Sequence, residues 1–150
     1  MKEMDEIYRD LENLEGDALK EFATEKFESA KTALNEITED DHQSTVILTT
    51  CAMAAVYVDG KFTEEEYDNI ADLIYAASDI RVSYEEARFI VKGKATDEVS
   101  NEKLIDNTLS DILDIDARAG ADFILFLAAL CCADGDACWK ERVWLQKAFN

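Results

Sequence analysis

The chain contains no proline and only five glycines among its 150 residues. Folds built from many strands need both residue types at their tight turns, so this scarcity favours long helices. Apolar residues recur at steps of three and four, as in Ala23, Phe27, Ala30, Leu34 and Ile37. We therefore expect an all-α fold, a compact bundle of about seven helices with no strand.

Local signals divide the chain into helices. The apolar stripe from Ile7 through Ala18 to Phe22 points away from the stripe that starts at Ala23, which predicts a break near Gly16 to Lys20. The acidic residues 39–41 predict a loop, and the apolar residues from Ser44 predict a helix. Capping boxes at 63–66 and 83–86 predict two helix starts.

Three helices are expected in the last third of the chain. One begins at Ser100 or Asn101 and turns Leu104, Ile105, Thr108, Leu109, Ile112 and Leu113 inward. The next runs from about Arg118 to Ala133. The last carries Trp139, Val143, Trp144 and Phe149. The aromatic spacing in this last helix is typical of a buried face.

Length and charge limit the classes of protein. The length fits a single domain over 1–150, with acidic N-terminal helices over 1–41 and a core over 44–150. The formal net charge of −19 repels phosphate backbones, so nucleic-acid binding is not expected. The same field favours cations or a basic protein partner. No apolar run is long enough for membrane insertion, and nothing in the pattern indicates an oligomeric state.

The cysteines are expected to be reduced. The start MKEMDEIYRD has no apolar signal segment, which favours a cytoplasmic protein with four free thiols. Structural zinc sites usually carry paired C-x₂₋₄-C spacing, whereas Cys131 and Cys132 are adjacent. Cys51 and Cys131 lie in apolar helices, so packing in the core is the better interpretation than zinc binding.

An internal repeat carries the functional signal. The segment CAMAAVYVDGKFTEEEYDNIADLI matches FLAALCCADGDACWKERVWLQKAF: an apolar helix, Asp-Gly, five residues, Glu and an amphipathic helix. The matched pairs are Asp59 with Asp134, Gly60 with Gly135, and Glu66 with Glu141. The Gly-to-Glu spacing is that of a calcium EF-hand. Yet the first and third loop positions lack carboxylates; they are Ala55 and Tyr57, then Leu130 and Cys132.

With the EF-hand excluded, the chain resembles the TerB family of tellurite-resistance and stress-response proteins. The resemblance rests on VDGKFTEEE (58–66) and ADGDACWKE (133–141), and covers about residues 44–150. It implies an all-helical fold with an internal pseudo-twofold repeat and an acidic cluster that binds metal ions. Similar domains joined to DnaJ-type co-chaperone modules imply service as an interaction module. Ala137, Cys138 and Trp139 depart from the polar run usual in the second copy.

The expected metal ligands are Asp59, Glu66, Asp134 and Glu141, with Asp122 and Asp136 as possible additional ligands. Close carboxylates repel one another unless a cation compensates, and oxygen ligands suit Ca²⁺, Mg²⁺ or Mn²⁺. We expect a cation-binding module that is not an enzyme and carries no organic cofactor.

Three other interpretations of these residues remain open. The Asp-Gly steps can be plain turns, with Glu66 only a capping residue. An adaptor whose acidic face docks a basic partner needs no metal. A carboxylate-bound metal can also be hydrolytic, but no catalytic motif is present, and His42 reads as a solvated loop residue.

Overall fold

The computed structural model describes residues 13, 16–56, 64–87, 89 and 98–133, and only the backbone of 54–56, 65, 66, 69, 98–102 and 131–133. These residues form helices and contain no strand, which confirms the expected all-α class. We number the long helices α1 (Gly16–Thr38), α2 (Asp41–Val56), α3 (Glu64–Ser78), α4 (Glu98–Ile115) and α5 (Ala117–Ala133). A shorter helical segment covers 84–87.

The connection between α1 and α2 is short and self-capped. Glu39 adopts a left-handed backbone (φ 58°), and its N–H bonds the Asn35 carbonyl at 3.0 Å, which ends α1. Asp40 Oδ1 then accepts hydrogen bonds from the backbone N–H groups of His42 and Gln43, at N···O distances of 3.0 and 3.3 Å. Because Asp40 is the N-cap, α2 begins at Asp41, one turn before the expected start at Ser44.

The second predicted capping box is confirmed. Ser83 Oγ accepts the Glu86 N–H at 3.1 Å, and the Glu86 carboxylate accepts the Ser83 N–H at 3.4 Å. Upstream, Asp79 repeats the left-handed ending seen at Glu39, with φ 63° and an N–H···O bond of 2.8 Å to Tyr75. Residues 79–83 therefore form a short connection between two well-capped helical segments.

The helices α4 and α5 meet at a single residue. Asp116 separates α4 from α5, and its carboxylate accepts the Arg118 N–H at 2.9 Å. The predicted helix from about Arg118 to Ala133 is thus confirmed within one residue. The expected start at Ser100 or Asn101 was late, since α4 already begins at Glu98.

The core is centred on α1 and α5, each of which contacts all the other long helices. The predicted stripe of α1 is buried from Ala23 to Leu34, and Phe27 meets Phe126 edge-on with ring centroids 5.3 Å apart. On α5 every residue from Phe126 to Leu130 is fully buried. A helix surrounded by partners needs apolar residues on most of its faces, as the sequence of α5 has.

Three expected core positions were wrong. Ala18 lies exposed in the first turn of α1. Ile37 is 49% exposed in the last turn of the same helix. Leu113 is 46% exposed near the end of α4. All three lie near helix ends, where the apolar period continues although the side chain is only partly covered.

Other expectations lie outside the described residues. These are the N-terminal stripe before Gly16, the end of the helix that starts near Ser83, and the last helix with its two tryptophans. The count of seven helices and the internal repeat therefore remain predictions. Among the described helices, none is long and apolar enough to cross a membrane.

Candidate functional site

Most of the predicted metal ligands lie outside the described residues. Asp59, Asp134, Asp136 and Glu141 belong to segments that the structure does not describe. Glu66 lies in the first turn of α3, where only its backbone is described. The convergence of the two motif copies therefore stays a prediction.

The helices that lead into the two Asp-Gly steps are both described, and they contact each other. α2 is helical to Val56 and α5 to Ala133, immediately before Asp134. Both bury their apolar residues in one core, with Leu48 and Cys51 on α2 and Leu127 on α5 fully buried. Each motif copy thus follows the carboxyl end of a core helix, where the helix dipole favours positive charge.

Asp122 is the one predicted ligand whose side chain is described. It lies on α5 with 14% of its side chain exposed, and Lys26 of α1 places its ammonium 3.3 Å from Oδ1. The same ammonium lies 5.3 Å from the centre of the Phe22 ring. Lys26 therefore already compensates the Asp122 charge, and a metal ion there would compete with it.

No carboxylate group within the described ranges, that of Asp122 included, has the arrangement of a metal site. Across those residues, no three or more His, Cys, Asp or Glu side chains are placed to hold an ion together.

The best-defined polar site of the described structure is the corner between α1 and α2. Lys31 Nζ lies 3.3 Å from Glu28 Oε1 and 3.5 Å from Asp41 Oδ1. Asn35 Nδ2 donates a hydrogen bond to Asp41 Oδ1 at 3.1 Å. The Asn35 hydrogen bond, followed by the charge of Lys31, holds the pKa of Asp41 below its ordinary value. These contacts tie the first turn of α2 to the body of α1.

A cleft of about 530 Å³ opens beside this corner and reaches the carboxyl end of α3. Its lining includes Thr24, Glu28, Lys31, Asp41, His42 and Asp79. Thr24 Oγ1 contacts the Ala76 carbonyl at 3.3 Å, which links the cleft wall to α3. Since Lys31 already pairs with Glu28 and Asp41, the cleft is a polar corner whose nearest carboxylates are compensated. His42, expected in a loop, is exposed in the first turn of α2.

Cys51 is a buried free thiol, as the sequence predicted for this position. Its Sγ donates to Thr108 Oγ1 at 3.3 Å, and the Thr108 hydroxyl donates to the Leu104 carbonyl at 2.9 Å. Burial raises the pKa of Cys51 to about 12. A fully buried, protonated thiol packs in the core and does not act as a nucleophile. The structure does not describe the side chains of the other three cysteines.

Tyr67 holds the 79–83 connection against α3. Its hydroxyl donates a hydrogen bond to the Val82 carbonyl, and its ring lies 6.0 Å from that of Tyr84. Burial, followed by the charge of Glu86, raises the pKa of Tyr67 to about 12. Nearby, Arg81 pairs with Asp72 at 3.0 Å.

Several of these contacts were missed by sequence reasoning. The Asp40 cap could have been found, because an Asp before an apolar helix is a start signal. The pairs Lys26–Asp122, Tyr67–Val82 and Cys51–Thr108 join residues far apart in the chain, and no spacing rule marks them.

Comparison with known proteins adds no relative from which a function could be transferred. No family model, no curated protein and no solved structure matches the chain. The TerB-like resemblance therefore rests on the two motif copies alone.

Proposed function

We propose that the chain is a non-enzymatic, acidic helical module of the TerB-like, stress-response type, which binds a divalent cation. The ligands are Asp59, Glu66, Asp134 and Glu141. The observation that supports this most is the position of the two motif copies. Each follows a core helix, α2 or α5, and these two helices contact each other.

The chemistry of the motif suits a hard cation. Four carboxylates from two copies supply oxygen ligands, which Ca²⁺, Mg²⁺ and Mn²⁺ prefer. The carboxyl ends of α2 and α5 add partial negative charge from their free carbonyl groups. In a chain of net charge −19, bound cations also relieve the repulsion between these groups.

A binding role fits the described residues better than turnover. Cys51 is fully buried, whereas His42 is exposed on the first turn of α2, so the two cannot form a nucleophile and base pair. In the polar cleft beside Lys31, the carboxylates of Glu28 and Asp41 are already paired with that lysine. The second candidate is an adaptor that docks a basic partner without a functional metal.

The proposal is tested by thermal unfolding and calorimetric titration with Ca²⁺, Mg²⁺ and Mn²⁺ in turn. A cation that binds only the folded state adds about 2.7 kcal/mol at a hundredfold excess over Kd. In a domain of this size, that raises Tm by roughly 5–11 °C. Glu141→Gln and Asp59→Asn should each weaken this response. Asp59→Asn should leave the cation-free protein at least as stable, since one repelling charge is gone.

The matched control is Glu25→Gln. Glu25 is exposed on α1, and the substitution removes the same charge as Glu141→Gln. Equal loss of the cation response in both variants would assign it to the surface field and refute the site.

A further inference from the structure

A shallow groove runs between α1 and the junction of α4 with α5. Its volume is about 340 Å³, and it is lined by Ser29, Thr32, Ala33, Glu36, Ile115 and Asp116. On α1, Thr32 and Ala33 lie three and four positions after Ser29, and Glu36 lies four and three positions after them, so the four residues form one face of that helix. The opposite wall is the end of α4.

The groove offers an apolar contact that α1 and α4 do not cover. Ile115 lines it and is 39% exposed, although it ends a helix whose Ile105 and Ile112 are fully buried. The small side chains of Ser29 and Ala33 leave room beside it. A single exposed isoleucine is ordinary on a protein surface, but here it stands in a concavity with space for a partner side chain.

Acidic residues surround this apolar contact. Glu36 and Asp116 line the groove, and Asp111 and Asp114 lie within one turn of Ile115 on the exposed side of α4. The ion pairs found among the described residues engage other carboxylates, so none of these four has a Lys or Arg partner there. The Asp116 carboxylate accepts only a backbone N–H, that of Arg118, as the cap of α5.

The placement of two of these acids is electrostatically costly for the fold. Glu36 lies in the last turn of α1 and Asp114 in the last turn of α4, and neither last turn contains a basic residue. A carboxylate at the carboxyl end of a helix opposes the helix dipole, which favours cations there. The groove thus combines an exposed apolar side chain, carboxylates without a Lys or Arg partner and the carboxyl ends of two helices, beside the amino end of α5 that Asp116 caps.

From this combination we infer that the groove docks a basic amphipathic helix of another protein. An apolar side chain of that helix packs on Ile115, while its lysines or arginines approach Glu36, Asp111 and Asp114. Charge complementarity selects this occupant. A second copy of the chain would bring the same acids face to face at a net charge of −19 each. This inference does not depend on the proposed cation site; it gives the adaptor named as second candidate function a docking surface and a class of partner.

The experiment uses the whole chain and a synthetic leucine–lysine peptide about four helical turns long, with its leucines at helical spacing. Fluorescence anisotropy is measured in EDTA at about 0.15 M NaCl, where long-range attraction is largely screened. Because no divalent cation is free, failure of the proposed cation site cannot affect the result. We expect binding that Ile115→Ser weakens about tenfold or more. Glu36→Gln and Asp114→Asn should each weaken it about two- to fivefold.

Three matched controls remove equivalent groups outside the groove. Val46→Ser alters another apolar residue, which is 44% exposed on α2. Glu25→Gln and Asp68→Asn remove exposed carboxylates on α1 and α3. Asp114→Asn should also raise Tm slightly, because it removes a negative charge that opposes the helix dipole at the carboxyl end of α4. Weaker binding by this variant therefore cannot reflect misfolding.

Three results would overturn the inference. The first is absence of peptide binding. The second is an equal loss of affinity in the control variants, which would indicate diffuse attraction to the acidic surface. The third is concentration-dependent self-association in sedimentation velocity that Ile115→Ser abolishes, which would make a second copy the occupant.

Discussion

Hydroxyl groups are buried in this core without loss of hydrogen bonding. Thr45, Thr49 and Thr108 each donate to the carbonyl four residues earlier, at 2.8 to 2.9 Å. Ser44 shares a 2.7 Å hydrogen bond with Thr38 across the α1–α2 connection. Because each hydroxyl is satisfied, its burial avoids the cost of an unpaired polar group. Thr108 Oγ1 also accepts a hydrogen bond from the Cys51 thiol, which links α4 to α2.

At the residue scale, we predict that Cys51 resists alkylation in the native protein. With its pKa raised to about 12 by burial, only roughly one thiol in ten thousand is a thiolate at pH 8. Peptide mapping by mass spectrometry after iodoacetamide treatment should find Cys51 modified in urea and unmodified in buffer. Equal modification in both conditions would contradict the burial of this thiol.

At the scale of elements, Gly120 allows α4 and α5 to approach closely. A Cβ atom on Gly120 would lie 2.4 Å from Cδ2 of Leu113 and 2.9 Å from its Cγ. Those distances are well inside van der Waals contact, so Leu113 occupies the space that any larger residue at position 120 needs. The one-residue connection at Asp116 gives the two helices little freedom to separate.

We predict that the effect of Gly120→Ala changes sign with the residue at 113. Alone it should destabilise the protein by about 1 kcal/mol. Overpacking costs about 1–3 kcal/mol, and the higher helix propensity of alanine offsets about 1 kcal/mol of this cost. In a Leu113→Ala background it should stabilise by up to about 1 kcal/mol, because the clash is gone. Urea unfolding of the four proteins measures the coupling. Additivity within about 0.5 kcal/mol would mean that Leu113 does not restrict the space at position 120.

At the scale of the whole molecule, acidic charge far exceeds what the ion pairs neutralise. The sequence has 34 acidic and 15 basic residues. In the described ranges Lys26, Lys31 and Arg81 are each paired with carboxylates, while exposed acids such as Glu25 and Glu36 have no basic partner there. Repulsion among such charges destabilises the folded state.

We therefore predict that sodium chloride stabilises the protein at pH 7. Raising the salt from about 10 mM to 0.15 M shortens the screening length from about 30 to 8 Å. A gain of about 1 kcal/mol would raise Tm by roughly 2–4 °C in a domain of this size. Differential scanning calorimetry checks this. Near pH 4.2, the pI of the sequence, the salt effect should largely disappear. A Tm that falls with salt at pH 7 would show that attractive ion pairs dominate.

Much of the fold followed from local features of the sequence. The absence of proline and the apolar periodicity predicted helices, and the box at Ser83 and Glu86 predicted a helix start that the structure confirms. The stripe from Ala23 to Leu34 was correctly predicted as buried. These features involve residues within four positions of one another, where backbone geometry fixes which groups can meet.

For the candidate site, the sequence determined the candidates but not their neighbours. Asp122 was predicted as a possible additional ligand from its residue type, and only the packing of α1 against α5 supplies Lys26 as its partner. The groove at Ile115 likewise depends on which face of α1 meets the end of α4. Ile37 keeps the apolar period yet is half-exposed, and Leu113 packs against Gly120 of α5 yet keeps 46% of its surface exposed. Periodicity thus identifies an apolar face, whereas its burial is decided by the helices packed against it.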